Sequence, residues 1–291
     1  MTFPDLLVLM KPIQSMPERR IMGETSLINY ENPPLIEVVC GIMFKPITTL
    51  LTPHFGVLWE RFKSEYPNCR EVAPLTAVIE QFGSEREVAI GFTDVPPLPR
   101  IWFIHKEENG IIQVQRDRFI INWRKVRAED EYPRYHHVNN LFRKSLSQFE
   151  AFLKENKIGE IAHLQYEMTY INHIPQKEGW ETLEGIGELF PDFPYRSHGK
   201  RILPGPEGIN FRMRFELPNQ AGRLHVNVRS AELTPTKTPI ILLELTARGI
   251  GPDKTGEGMW KWFDLAHEWI VYGFADLTSE EVQRKIWKRK D

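Results

Sequence analysis

Two neighbouring stretches of the chain alternate polar with apolar residues, and their polar side chains could bind an anion. In residues 210–217 and 223–229, every second residue is apolar. Because successive side chains of a strand point to opposite faces, the intervening polar residues share one sheet face. That face would carry Arg212, Arg214, Arg223, His225 and Arg229. Arginine forks suit phosphate and carboxylate groups, so the pattern predicts either an anion-binding face or a surface lattice in which Glu216, Glu244 and Glu167 neutralise the arginines.

A second polar face is predicted in residues 110–127, which hold the strongest strand signal of the chain. Ile112 and Val114 alternate with glutamines, and Asn109-Gly110 has the composition of a hairpin turn. The stretch predicts the last two strands of a three-stranded meander. Its polar side chains form either a recognition face or an ordinary solvated face: Gln113, Gln115, Asn122 and Arg124. Three of its cations extend the candidate anion-binding set: Arg116, Arg118 and Arg124.

The histidines and glycines exclude two common catalytic motifs. His267-Glu268 begins as a zinc-protease motif does, but Val271 stands where the second histidine is needed. Residues 251–256 have the spacing of a phosphate loop, but Glu257 stands where the lysine is needed. We therefore predict no metal and no cofactor. A hydrolase or transferase that uses His225 or His267 with a nearby carboxylate stays open as an alternative.

The helix predicted over residues 256–274 is apolar almost all round. One stripe contains Met259 and Ile270, and a second contains Trp262, Leu265, Trp269 and Tyr272. Such a helix is buried on both sides, either between two layers of the fold or against a partner. Exposed tryptophans are typical of an interface core, so the second stripe favours a homodimer.

The elements that position these residues predict an α+β fold with two similar halves. Periodicity gives the order β-α-β-β-β-α in residues 31–158 and again in 159–278, with antiparallel sheets and the helices packed on one face of the sheets. The poor identity between the halves makes this a pseudo-duplication of architecture, with either separate cores or one shared core. Residues 1–30 are expected to form a flexible arm, and residues 279–291 a basic helix.

The composition of the chain limits the classes of function that it can have. A formal net charge of −2 provides no overall field to draw the chain to nucleic acid or a membrane, so any basic site must be local. No apolar run approaches the roughly 20 residues of a membrane span. The two cysteines are too few for a disulfide framework. We therefore expect a cytoplasmic protein with no membrane partner.

Several segments resemble a sporadically distributed family of bacterial proteins of unknown function. They are N-P-P-L-I-E-V-V at 32–39, Q-R-D-R-F-I-I-N-W-R at 115–124, Y-P-R-Y at 132–135 and F-D-L-A-H-E at 263–268. The resemblance implies a bacterial protein with an accessory role, and it assigns no activity. The residues themselves favour a non-enzymatic recognition or assembly module that is homodimeric and binds an unknown protein or anionic ligand. Nucleic-acid or nucleotide binding through the arginines is the alternative.

Overall fold

The computed structural model describes residues 27–82, 88–90, 99–195, 202–253 and 256–290. The strands are β1 (Asn29–Tyr30), β2 (Leu35–Phe44), β3 (Asn68–Val72), β4 (Ala77–Ile79), β5 (Val88–Ile90), β6 (Arg100–Ile104), β7 (Gly110–Gln115), β8 (Arg118–Arg124), β9 (His163–Pro175), β10 (Asn210–Glu216), β11 (Arg223–Leu233), β12 (Thr238–Gly249) and β13 (Arg289–Lys290). The α-helices are α1 (Thr52–Trp59), α2 (Tyr135–Glu155), α3 (Gly256–Leu277) and α4 (Glu280–Lys285). Short 3-10 helices cover Leu183–Glu188 and Pro218–Gln220.

One nine-stranded antiparallel sheet unites both halves of the chain. Its order is β10-β11-β12-β9-β2-β8-β7-β6-β3, so β2 and β9 lie side by side at its centre. Strands of the first half extend to one side and strands of the second half to the other. A single hydrophobic core takes residues from both. The predicted α+β class with antiparallel sheets is therefore confirmed, and the pseudo-duplication stays a prediction.

Both long helices lie on one face of this sheet because the alternating apolar residues of the strands point there. Phe119 of β8 stacks on Phe149 of α2, with 5.0 Å between ring centroids. Phe142 of α2 meets Phe263 of α3 edge to face at 5.2 Å. Along α2 the buried residues recur at helical spacing, which is the stripe that the periodicity predicts. None of the helices in the described ranges has the length and apolarity to cross a membrane.

The opposite face is crossed by residues 75–80, which we call the strap. The side-chain amide of Gln115 accepts from Leu75 N at 2.9 Å and donates to Leu75 O at 3.1 Å. Gln165 likewise accepts from Glu80 N at 2.7 Å and donates to Val78 O at 2.9 Å. Both glutamines are buried, so they hold the backbone of the strap rather than a ligand.

The other polar residues of the central meander also have internal partners. Gln113 donates to Asn122, and Asn122 donates to Glu37 of the neighbouring strand. Trp102 Nε1 donates to Gln113 Oε1 at 3.0 Å. Burial raises the pKa of Glu37, although the hydrogen bond from Asn122 opposes the rise. Gln113 and Asn122, which were predicted to lie on a recognising or solvated face, thus belong to a largely buried network.

The two ends of the described chain meet. Asn29–Tyr30 of the predicted arm pair with Arg289–Lys290 as a small antiparallel ribbon, while residues 1–26 lie outside the described ranges. Tyr30 is buried, and its hydroxyl donates to Gln283 Oε1 at 3.0 Å. Of the predicted C-terminal helix, Glu280–Lys285 are helical. Residues 27–35 are thereby held over the ends of α2 and α3.

Candidate ligand-binding site

A cavity of about 310 Å³ lies on the helix face of the sheet, where α2 begins. Residues 27–35 cover it, and α3, β9 and β12 form its walls. Most of its surface is apolar and comes from aliphatic side chains and aromatic rings. The polar side chains that line it are Asn29, Tyr30, Tyr132, Arg134, Tyr135, His136, Tyr170, Asn172 and His267.

A hydrogen-bonded chain crosses the floor of the cavity. Tyr132 and Tyr170 share a hydrogen bond of 2.7 Å between their hydroxyls. The Tyr170 hydroxyl in turn meets His267 Nδ1 at 2.9 Å. Among the described residues, no group bonds the second ring nitrogen of His267, Nε2. The chain therefore fixes the imidazole and leaves Nε2 for a ligand.

The face of the His267 ring is fixed as well. Tyr135 stacks on it with 4.0 Å between centroids and 12° between planes. The Tyr135 hydroxyl donates to Asp264 Oδ1 at 2.7 Å and accepts from Asn139 Nδ2 at 3.0 Å. These contacts join the first turn of α2 to the middle of α3. A site held by packed rings and satisfied hydroxyls is preorganised.

Burial keeps the floor of the cavity uncharged at neutral pH. It lowers the pKa of His267 to about 3, and the nearby His136 adds to that effect. Burial also raises the pKa of Tyr132 and of Tyr170 well above the ordinary value for a phenol. His267 is therefore a neutral imidazole with one N–H and one lone pair. The floor can donate and accept hydrogen bonds, but it carries no charge.

The mouth of the cavity is cationic. Arg134 precedes the first residue of α2, and its Nη1 donates to Asn29 Oδ1 at 2.7 Å and to Tyr30 O at 3.0 Å. Its φ of 71° is rare for a residue other than glycine. No Asp or Glu is among the described residues that line the cavity. The cavity therefore has a positively charged mouth above an uncharged floor.

The predicted arginines are dispersed rather than gathered. Arg116 Nε donates to Leu50 O at 3.0 Å, and Arg124 Nε donates to Glu108 O at 2.9 Å. Arg118 forms a buried bidentate pair with Asp117, both distances being 3.0 Å. These three arginines therefore hold loops and turns of the first half.

Glu80 of the strap contacts two more of the predicted anion-binding residues, Arg223 and His225. Its carboxylate bonds Arg223 Nη1 and lies 2.7 Å from His225 Nε2. Burial alone would raise the pKa of Glu80, but the hydrogen bonds from His225 and Arg223 outweigh burial and lower it. Phe82 lies 4.5 Å beneath the Arg223 guanidinium. A carboxylate is thus present at these two positions, but it belongs to Glu80 and not to Glu216, Glu244 or Glu167, the residues that were predicted to neutralise the face.

The remaining three arginines of the predicted set are exposed. Arg212, Arg214 and Arg229 have no ion pair or hydrogen bond with any described side chain. Asn210 pairs with Arg229 and Arg212 with Asn227, so Arg212 and Arg229 are diagonal neighbours across β10 and β11. We call these three residues the arginine patch.

The predicted interface stripe of α3 also divides into a buried residue and residues that are partly exposed. Trp262 is only 2 % exposed, and its Nε1 donates to Ala221 O at 2.8 Å. Leu265, Trp269 and Tyr272 are half-buried. Trp262 therefore belongs to the core, and an interface formed by the other three stays a prediction.

Sequence reasoning considered the histidines of this cavity but not its tyrosines. His267 was considered there for a zinc-protease motif and for a site with a nearby carboxylate. In the described ranges, no group of three or more His, Cys, Asp or Glu side chains is placed to hold a metal ion. The one local signal for the site was the clustering of Tyr132, Arg134 and Tyr135 just before a long helix.

Comparisons with protein-family models, with curated proteins and with solved structures found no match. The resemblance to a bacterial family of unknown function therefore stays an expectation.

Proposed function

We propose that the protein is a recognition module that binds a small, mainly apolar molecule in the cavity between α2, α3 and the sheet. The observation that carries the proposal is the hydrogen-bonded floor of Tyr132, Tyr170 and His267 beneath mainly apolar walls. Ligand sites are typically concave and apolar, with a few polar groups that fix orientation. The volume of about 310 Å³ lies at the lower end of the range for such sites.

The pKa of His267 favours binding over acid–base catalysis in this cavity. A general base works best when its pKa lies near the working pH. With a pKa of about 3, His267 binds a proton too weakly to take one up at neutral pH. No carboxylate contacts its ring among the described residues. A neutral imidazole is well suited to hydrogen-bond a hydroxyl or carbonyl of a ligand.

A substitution that fills the cavity tests the proposal. We expect 2-naphthol, a flat apolar probe with one hydroxyl, to bind the wild-type protein with one-to-one stoichiometry in calorimetry. Val271→Phe adds bulk to the wall without removing a hydrogen bond, so it should abolish this binding. Val57→Phe, at an exposed position on α1, is the matched control and should bind as the wild type does. Equal binding by all three proteins would contradict the proposal.

The arginine patch supports a second candidate function, the binding of a nucleic-acid strand or another polyanion. Its three guanidinium groups share one sheet face and lack carboxylate partners among the described residues. Each phosphate neutralised by such a group releases counterions, so binding weakens as salt rises. The homodimer and the cytoplasmic location also stay predictions.

The salt dependence of oligonucleotide binding tests this second candidate. For a single strand, we expect the joint replacement of Arg212, Arg214 and Arg229 by Gln to reduce the slope of log K against log salt by about 2, at roughly 0.7 per phosphate contact. Replacing the exposed Lys106, Lys261 and Lys285 by Gln removes the same charge elsewhere and should leave the slope unchanged. An equal change in both triple variants would show a general charge effect and reject the patch.

A further inference from the structure

We infer that the ligand of the cavity is a monocarboxylic acid whose apolar body fills the cavity and whose carboxylate lies beside Arg134. This inference rests on the proposed function and specifies its ligand class. It follows from the placement of charge around the cavity, from the contacts that Arg134 makes, and from the size of the space.

The charge around the cavity is one-sided. Arg134 contributes a permanent cation at the mouth, and the exposed His136 lies beside it. The carboxylate of Asp264 accepts from the hydroxyl of the lining residue Tyr135, and Asp264 itself does not line the cavity. A cationic ligand would therefore meet uncompensated repulsion, whereas an anionic one would complete the charge balance.

Arg134 is held in place by neutral partners only. Its Nη1 donates to an amide oxygen of Asn29 and to a backbone oxygen of Tyr30, and no described carboxylate pairs with it. These bonds fix the guanidinium at the mouth while its other N–H groups stay available. A guanidinium presents its donors in a fork that matches the two oxygens of a carboxylate.

The backbone conformation of Arg134 also supports a role in binding a carboxylate. A φ of 71° at an arginine costs free energy, and such conformations cluster at sites where function requires them. The same conformation places the start of α2 at the mouth, with no side chain capping its first N–H groups. The positive end of a helix adds to the field of Arg134 there.

The floor determines which end of the ligand is charged. Tyr170 and His267 are neutral and largely buried, so a ligand charge beside them would lose its hydration without gaining a counterion. The charge of the ligand therefore belongs at the mouth. One arginine matches one negative charge, which favours a carboxylate over a doubly charged phosphate.

The volume limits the apolar body. At about 30 Å³ for each water-sized group, the cavity holds on the order of ten such groups. A medium-chain acid or a bicyclic aromatic acid has this size. A hydroxyl or carbonyl near its far end would meet His267 Nε2.

A pair of probes with the same ring system tests the inference. At about pH 7.5, we expect 2-naphthoate to bind at least tenfold more tightly than 2-naphthol in calorimetry. Arg134→Gln should remove about tenfold or more of the 2-naphthoate affinity and leave that of 2-naphthol unchanged, because only the acid uses the fork. Arg134→Lys, which keeps the charge but loses the fork, should fall between the two. Arg143→Gln is the matched control, since Arg143 lies on the same helix over Trp260 and outside the cavity lining.

The outcomes separate the two proposals. If both probes bind equally and Arg134→Gln changes neither, the acid inference is overturned while the small-molecule proposal stands. If neither probe binds the wild type, or if Val271→Phe leaves both affinities unchanged, both proposals are overturned. Thermal unfolding of each variant identifies loss of binding that comes from loss of the fold.

Discussion

Lowering the pH from about 6.5 to 4.5 is expected to reduce the free energy of unfolding by roughly 2 to 3 kcal/mol through His267 alone. In the unfolded chain, an imidazole takes up a proton with a pKa near 6.5. In the fold, burial lowers the pKa of His267 to about 3. Below pH 6.5 the unfolded state therefore binds a proton that the folded state does not, and each further pH unit favours unfolding by about 1.4 kcal/mol. The full stability is present above this range and is lost as the pH falls.

No side chain described around His267 would balance the positive charge of a protonated ring. Tyr170 faces it from β9, and Tyr135 and His136 face it from α2. Two of these groups are phenols, and the third becomes a like charge when protonated. No described carboxylate contacts the ring. Protonation in the fold would leave an unpaired buried cation, which is the costly case.

Chemical denaturation across a pH series measures the effect. His267→Asn removes the titrating group, so its stability should fall less steeply than that of the wild type between pH 6.5 and 4.5. The variant loses the stacking with Tyr135, which lowers its stability at every pH. Burial also lowers the pKa of His163 and of His173, so some slope remains in the variant.

His137→Asn is the control for this experiment, because His137 is exposed in the first turn of α2 and does not line the cavity. It should keep the slope of the wild type. Parallel curves for the wild type and His267→Asn would show that His267 is protonated in the fold, and would contradict the neutral floor.

The sheet could be predicted because its signal is local. The alternation of residues 112–115 and the apolar run at 119–123 identify β7 and β8 from a few neighbouring residues. The helical stripe of α2 is equally local. In α3, Trp262 reaches the Ala221 carbonyl and Phe263 meets Phe142, so both belong to the core, while a partner for the rest of the second stripe stays a prediction. Periodicity indicates which residues are buried, but it does not identify the residues that they contact.

The candidate sites depend on contacts between residues that are distant in sequence, and local sequence patterns did not predict these contacts. Alternation placed Arg212 and Arg223 on one face, but it could not show that Glu80 would reach Arg223 from 143 positions away. The floor joins Tyr132, Tyr170 and His267 from three separate elements. The backbone conformation of Arg134, which sets the mouth, has no sequence signature. Contacts of this kind follow from the register of the whole sheet rather than from any single stretch.

Gly222→Ala is expected to destabilise the protein by about 3 kcal/mol, because two backbone segments cross at this residue without room for a methyl group. Gly222 lies in the connection between β10 and β11 and has a φ of 145°, which favours glycine. A Cβ there would lie 2.8 Å from Gly249 Cα and even closer to the carbonyl oxygen of Arg248. Neither contact can be relieved by rotating a side chain. The connection must move away from the end of β12.

That movement would spread to the core. Ala221, the preceding residue, accepts the hydrogen bond of the buried Trp262, and Gly222 O accepts from Leu217 N at 2.9 Å. Displacing the connection therefore weakens a tryptophan hydrogen bond and opens space beside a large buried ring. Gly56→Ala is the matched control, since Gly56 is exposed within α1 and a Cβ there meets nothing within 4 Å. This control should gain about 0.5 to 1 kcal/mol from helix propensity. Denaturant unfolding of both variants tests the crossing: a Gly222→Ala protein as stable as the wild type would mean that β12 and the connection are not in contact.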